Sequence, residues 1–349
     1  MTSTPIRWGV IGTGNIARRF AGDLAHSSSG VLAAVGSRDG TRAFAFTAAF
    51  GSGIHADETA KILARPDIDA IYVGTVNRAH HEIAIAALEA GKPVLVEKPL
   101  APTPAEAKAI GDLAERRGLL AMEAMWMVFT PGIVRLKALI ADGAIGSPRS
   151  LSANLSYARA YRPELELFDA ETGGALLDLG VYPIALALHL FGSADETAPI
   201  VERNHAGSVR QAALVTRHGQ VLTKLSCGFE TEGPNGAMVS GEHGRIALAG
   251  PFFCPPALML KRHLAGTPLD PRGDGPAGED LPLDEPPADS PLRPGTLPTP
   301  IVGSGLQYQA DHFAACLRAG STQSPVHPLS ASLAAIEIME RARRSAPAL

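Results

Sequence analysis

Three short stretches of this chain combine residue types that do chemistry. The first is Gly12-Thr13-Gly14-Asn15-Ile16-Ala17, a G-x-G-x-x-A turn that follows the apolar run Ile6–Ile11 and opens a helix-period segment. Glycine-rich turns are common, and only the strand before and the helix after give this one meaning. Gly12 permits the tight turn, Gly14 lets backbone approach a pyrophosphate, and Ala17 keeps the helix close to the sheet. Free N–H groups at the helix start, at Asn15 and Ile16, would then face phosphate. The second stretch is Glu97-Lys98-Pro99, which ends the apolar run Val94–Val96. Ligands of doubly wound sheets bind beyond the carboxyl ends of the strands, so Lys98 is aimed where a nicotinamide would lie. By itself, a lysine at a strand end is ordinarily a solvated terminus. The third stretch, Gly173–Pro183, carries Asp178 and Tyr182 four residues apart, on one face of an otherwise apolar helix. A polar pair in such surroundings needs partners. Opposite a lysine ammonium the Tyr182 phenol is expected to have a lowered pKa and to exchange a proton with a carbinol. The plainer alternative is a core tyrosine with a satisfied hydroxyl.

The end of the second apolar run bears on the cofactor. An NAD enzyme places an acid there to bind the ribose 2′-hydroxyl, about twenty residues after the glycine turn. This chain has Ser37-Arg38-Asp39. Serine and arginine donate to a 2′-phosphate that an acid would repel. NADP(H) is therefore expected over NAD(H), with Arg42, one turn into the next helix, as a second phosphate contact. Asp39 is equally read as the helix N-cap, with Arg38 a solvated charge.

The elements that must position these residues follow from periodicity. Short apolar runs at Ile6–Ile11, Val31–Ser37, Ala70–Thr75, Pro93–Val96 and Leu119–Met122 alternate with helical segments at Asn15–Ala25, Thr41–Phe50, His80–Ala90 and Thr103–Arg117. That alternation predicts βαβ units and a parallel sheet covered on both faces. The rhythm changes after about residue 126. A helix over Ile133–Ile140 is followed by alternating segments around 151–157, 212–215, 221–225, 238–239 and 246–248, the pattern of an antiparallel sheet with one buried face. An apolar helix over Gly174–Leu190 interrupts them, and helices near Leu306–Arg318 and Leu329–Arg344 close the chain. The fold class is thus α/β: a Rossmann domain over 1–125, then an α+β domain over 126–349 built on a large, mainly antiparallel open sheet. The stretch Thr267–Pro300 holds 10 prolines in 34 residues, with seven acids and two arginines, and reads as a mobile loop insert.

Composition narrows the classes of function. With 349 residues, 46% hydrophobic and 19% charged, the chain has ample material for a core and is not a disordered protein. A net charge of −4 without a basic tract argues against nucleic acid or an anionic membrane as partner. Cys227, Cys254 and Cys316 lie far apart, so neither a cysteine-rich zinc module nor a disulfide scaffold is expected. No apolar run reaches the ~18 residues of a membrane span, and no signal peptide is read. A cytoplasmic protein without a bound metal is the expectation.

Taken together, the glycine turn, Glu97-Lys98-Pro99 and the Gly-Gly-x-Leu-x-Asp-x-Gly-x-Tyr segment resemble the Gfo/Idh/MocA oxidoreductase family, over nearly the whole chain. Glu123-Ala-Met-Trp-Met127, Phe129, Leu176–Pro183, Gly305–Tyr308 and Leu317–Gly320 are most similar to its dihydrodiol and NADP-dependent D-xylose dehydrogenase branch. The resemblance implies Lys98 as catalytic lysine, Tyr182 as proton donor or acceptor, and Asp178 as a holder of substrate and catalytic groups. It places Thr75, Asn77 and His80 in a cofactor turn, where Val76 stands in place of the family's proline, and Glu97 beside them. It also puts Trp126 and Phe129 in the substrate pocket, although both would serve equally as domain-interface core. The implied activity is hydride transfer to or from a sugar or vicinal-diol carbinol, by a homodimer paired through the open sheet. A ketosugar-nucleotide reductase and a non-catalytic NADP-binding regulator are the alternatives. Intact Lys98, Asp178 and Tyr182 speak against the regulator, which has no use for them.

Overall fold

The computed structural model describes residues 4–262 and 295–345. Its first half is a parallel sheet of six strands: β1 (Ile6–Ile11), β2 (Gly30–Ser37), β3 (His55–Glu58), β4 (Ala70–Val73), β5 (Val94–Glu97) and β6 (Ala121–Ala124). The strand order is β3-β2-β1-β4-β5-β6, a doubly wound arrangement whose order reverses beside β1. Helices α1 (Asn15–Asp23), α2 (Gly40–Thr47), α3 (Thr59–Leu63), α4 (His80–Glu89) and α5 (Pro104–Arg117) connect the strands. Local chemistry sets α5: Thr103 caps its start by accepting from the Glu106 N–H at 3.3 Å, Pro104 fills the first turn, and Gly118 ends it at φ 63°. The runs β1, β4 and β5 are buried on both faces, as parallel strands between helix layers must be. β3 and α3 lie outside the sequence reading, because the polar edge strand His-Ala-Asp-Glu shows no apolar period.

The second half begins with α6 (Pro131–Ala141) and β7 (Pro148–Ser156). A π-turn over Leu176–Gly180 leads into α7 (Val181–Phe191), and β8 (Glu196–Arg203), β9 (Val209–His218), β10 (Val221–Gly228), β11 (Ala237–Gly241), β12 (Gly244–Leu248), β13 (Ala257–Arg262) and β14 (Thr296–Pro298) follow. These strands form one eight-stranded sheet ordered β14-β13-β12-β11-β7-β10-β9-β8. It is mainly antiparallel, with one parallel pair, β7 beside β10. The apolar face of the sheet packs on α7, whose residues Val181–Leu188 are all buried. The sequence reading extended one α-helix through Gly174–Leu190, whereas its first turn is wider and leaves backbone groups free for other partners. It also assigned the whole of 267–300 to a loop. Residues 267–294 of that stretch lie outside the described residues, and Thr296–Pro298 pairs with β13 as the edge strand.

The last helices, α8 (Gln307–Arg318) and α9 (Leu329–Arg344), return to the first sheet. Phe313 of α8 packs on Trp8 of β1 at 5.0 Å, and the Asp311 carboxylate accepts from the hydroxyl of Ser27 at 2.6 Å. α9 packs on both β6 and β8, so the closing helices join the two sheets.

Candidate active site

A cavity of about 520 Å³ opens at the carboxyl end of the parallel sheet, and Gly12, Gly14, Asn15, Ile16, Ser37, Arg38, Arg42 and Thr75 all line it. Gly12 has φ +120°, and a Cβ there would stand 2.2 Å from the Gly74 carbonyl oxygen, so only glycine closes this turn. A Cβ on Gly14 would meet no atom within 4 Å, which leaves backbone bare to a ligand. α1 starts at Asn15 with no side-chain cap and no acid in its first turn, so its N–H groups face the cavity unanswered. Asp39 caps α2, accepting from the Thr41 N–H at 2.9 Å, and does not line the cavity. These features fit a dinucleotide: N–H groups for the pyrophosphate, and Ser37, Arg38 and Arg42 for the adenosine ribose.

Not every residue in the expected cofactor set lies there. Asn77 instead joins the two halves of the chain: its N–H donates to Glu166 Oε2 at 2.7 Å and its amide nitrogen to the Thr172 carbonyl at 2.8 Å. His80 is fully buried, with Nδ1 2.9 Å from the Pro99 carbonyl oxygen and Nε2 3.4 Å from that of Thr75. Burial holds its pKa below the ordinary value despite those carbonyls, so the neutral ring donates to Pro99 and braces the turn after Lys98. Glu97 accepts from the Tyr72 hydroxyl at 2.5 Å. Burial raises its pKa to about 7, against the pull of the Tyr72 hydroxyl and Lys98. His80 and Glu97 lie behind the site and hold its backbone, and neither lines the cavity.

Lys98, Asp178, Tyr182 and Trp126 do converge. The Lys98 ammonium donates to the Asp178 main-chain carbonyl at 2.8 Å and to Asp178 Oδ1 at 3.0 Å, and sits 4.9 Å from the centre of the Tyr182 ring. The Trp126 indole N–H donates to the Tyr182 hydroxyl at 3.1 Å, and Phe253 packs on both rings at 5.4 and 5.1 Å. Burial works against the charge on Lys98, but Asp178, Tyr182 and Glu97 outweigh it and hold the ammonium above its ordinary pKa. Asp178 is likewise penalised by burial, yet Lys98 and Arg159 keep its carboxyl below the usual range. For Tyr182 the balance runs opposite to the sequence expectation. Burial raises the phenol pKa, and the pull of Lys98 and the Trp126 hydrogen bond does not cancel the rise. The physical reason is that burial is the largest influence on the phenol, and Lys98, 4.9 Å from the ring centre and bonded to Asp178, offsets only part of it.

Phe129 stands apart from this cluster, against the His312 ring of α8 at 4.7 Å. Sequence reasoning missed Arg159, whose guanidinium reaches Asp178 Oδ2 at 3.3 Å, and Phe253. It also missed Glu166, which accepts from the N–H groups of Asn77 and Arg78 at 2.7 and 2.9 Å. Arg159 and Glu166 sit in a polar loop without periodicity, so no local signal marks them. Among the described residues there is no cluster of acids, histidines and cysteines able to hold a metal, and all three cysteines are free. Among the described residues no helix is long and apolar enough to cross a membrane.

Residues 6–125 match the oxidoreductase family with NAD-binding Rossmann fold, and residues 133–247 match the GFO/IDH/MocA C-terminal domain. The chain belongs to the Gfo/Idh/MocA oxidoreductase family. Among its relatives is human trans-1,2-dihydrobenzene-1,2-diol dehydrogenase, 31% identical, with 97% of this chain and 96% of the relative covered. Another is D-xylose 1-dehydrogenase (NADP(+)) from Hypocrea jecorina, 28% identical over 97% of this chain and 91% of that enzyme. Among solved structures, a 3-ketoreductase from Actinomadura kijaniata in complex with NADP and TDP-benzene superposes with a TM-score of 0.79, at 27% identity and 98% coverage of both chains. This member of the family is thus an NAD(P)-binding oxidoreductase.

Proposed function

We propose that this oxidoreductase uses NADP(H) to interconvert a carbinol and a carbonyl on a sugar or vicinal diol, with Lys98 and Tyr182 handling the proton. The observation that carries the proposal is the convergence of Lys98, Trp126 and the Asp178–Tyr182 pair from three separate segments. NADP(H), when bound, supplies or accepts the hydride. Because Trp126 donates to the Tyr182 oxygen, the phenol's own hydrogen is free to be given to a substrate oxygen. A phenol held above its ordinary pKa is protonated at neutral pH, which suits it to complete a carbonyl reduction as the acid. The nearby ammonium stabilises the negative charge that develops on the phenol oxygen as the proton leaves. Diol and xylose dehydrogenase relatives support the substrate class. A ketosugar-nucleotide reductase is the second reading, supported by the neighbour that carries TDP-benzene. Screening purified protein for NADP+ reduction against aldoses, diols and inositols tests the proposal; no turnover with any of them would defeat it.

Arg38 and Arg42 in the cavity, with Asp39 engaged as a cap, support preference for the 2′-phosphate. One charge-assisted arginine–phosphate contact is worth about 1.5–3 kcal/mol, or about ten- to a hundredfold in affinity. NADP(H) is expected to bind tighter than NAD(H) by about that factor, and Arg38→Asp to reverse the order. Fluorescence titration of both cofactors checks this, and equal dissociation constants would contradict it.

The outer face of the eight-stranded sheet supports a homodimer. The strand registers place Val215, Lys224, Ser152, Met238, Ala247 and Met259 in one row across it. Val215, Met238 and Met259 are exposed there, and Ile200, on the same face, is 75% exposed. A flat, partly apolar sheet face of this kind buries well against a two-fold copy of itself. Light scattering at micromolar concentration is expected to give about twice 36.3 kDa, and Val215→Arg with Met238→Arg to give the monomer. A wild-type monomer would overturn the pairing. A cytoplasmic location is part of the same proposal, supported by three unpaired thiols.

A further inference from the structure

Next to the Lys98–Asp178 pair is a second cavity, of about 410 Å³, with Arg159, Arg203 and Arg210, the rings of Tyr161, Phe168 and Phe229, and one carboxylate, Glu230, in its wall. Arg159 connects this cavity to the reacting centre. One of its nitrogens lies 3.3 Å from Asp178 Oδ2, and its guanidinium covers the Phe229 ring at 5.1 Å. That carboxylate is already matched by Lys98 at 3.0 Å, so two cations share one anion. Among the described residues Arg203 has only neutral acceptors, donating to the Gly207 carbonyl at 2.7 Å and to the Arg343 carbonyl. Arg210 is held loosely, 3.3 Å from Glu202 and 3.4 Å from Glu230, and its Nε is buried without a partner. Long pairs of this kind on half-exposed side chains are weak.

The wall therefore presents planar, forked donors whose charge the protein itself leaves incompletely matched. Guanidinium forks fit carboxylate and phosphate oxygens two at a time, and a concave site strengthens the attraction. Beside them is an apolar surface: Phe168 lies 5.7 Å from Phe229 and 5.3 Å from Tyr161, ring centre to ring centre. A carbon skeleton rests on such rings while polar groups fix its orientation.

We propose that this cavity is an anion subsite for the substrate: the molecule whose oxygen meets Tyr182 also carries an oxyanion, received by Arg159, Arg203 and Arg210, with its carbon skeleton against Phe168 and Phe229. The inference rests on the assignment of Lys98 and Tyr182 as the reacting centre, and it narrows the substrate from sugars and diols in general to acidic or phosphorylated ones.

Calorimetric titration of the full chain saturated with NADP+ tests it, using D-glucuronate, D-glucose 6-phosphate and TDP as anionic probes and D-glucose as the neutral one. At least one anion is expected to bind about tenfold or more tighter than D-glucose, the size of one charge-assisted contact. The tightest of the three identifies the source as a carboxylate, a phosphate monoester or a nucleoside diphosphate. Arg210→Gln is expected to erase the difference while NADP+ affinity stays unchanged. In the wild type, added salt should weaken the anion and not D-glucose, a readout that needs no variant. Anions binding no tighter than D-glucose, or a preference that survives both Arg210→Gln and salt, would overturn the subsite. Turnover of neutral sugars or diols without any anion preference would sink the subsite and leave the oxidoreductase assignment standing. Anion binding lost in Arg210→Gln, with no carbinol turned over, would uphold the anion site and sink the assignment of Tyr182.

Discussion

Tyr182→Phe is expected to lower turnover by about 10²–10⁴, the usual range for loss of a general acid or base, with NADP(H) affinity unchanged. The variant keeps the ring under Lys98 and against Phe253, so packing and the cation–π contact persist. Only the hydroxyl is lost, and with it the proton and the acceptor for the Trp126 indole. Lys98→Met removes the ammonium 4.9 Å from the same ring and is expected to cost a similar factor. If the charge acts through the phenol, the double variant falls little further, because residues working as one unit are not additive. Single-turnover kinetics with NADPH and a carbonyl substrate read the chemical step directly. Tyr182→Phe with most of its turnover intact would refute the assignment. Strictly additive losses would mean that Lys98 acts on its own, by positioning substrate or cofactor.

Asp178→Ala is expected to cost about 3 kcal/mol of stability at pH 7, the low end for removing one partner of a buried ion pair. The low end applies because the side chains of Lys98 and Asp178 remain 14% and 23% exposed. The loss leaves an ammonium with one main-chain carbonyl as partner and frees Arg159 as well. The pH dependence has a definite sign. The folded-state pKa of Asp178 lies below its unfolded value of about 3.9, so its contribution is present above that pH and is lost as pH falls through the folded value. The gap between wild type and Asp178→Ala should thus be flat through neutral pH and close only on acidification below about pH 4. Urea unfolding across that range measures it. A gap under about 1 kcal/mol at pH 7 would show that solvent, and not Asp178, carries the charge of Lys98.

Much of the site was legible because its signals are local. A glycine at φ +120° pressed against Gly74, a bare Gly14 and an uncapped helix start all fall between Gly12 and Asn15, so the dinucleotide turn is written within one short stretch. The place of Lys98 was legible because a doubly apolar strand ends at the ligand-binding edge of a parallel sheet, whereas its role was read only from the resemblance. The capping role of Asp39 and the donors Ser37, Arg38 and Arg42 follow from one strand end and one helix turn.

Pairing across long chain separations was not legible. Nothing in the alternation of β7 and β10 distinguishes parallel from antiparallel neighbours, and β8, with Pro199 in its middle, joins the sheet at the edge, where proline is tolerated. Trp126 and Phe129 are both buried aromatics three residues apart, yet one bonds Tyr182 and the other stacks on His312, a choice made by how α8 docks. The pKa of Tyr182 belongs to the same class. Sequence alone determined the parallel dinucleotide fold and the glycine turn that opens its cavity, because each is encoded by residue type and short spacing. Only the tertiary structure decided that the Leu176–Gly180 π-turn turns the Asp178 carbonyl to Lys98, that burial outweighs the ammonium at the Tyr182 phenol, and that Arg159 links the pair to a second cavity. Those outcomes depend on distances and burial between elements brought together by packing, and no single segment carries them.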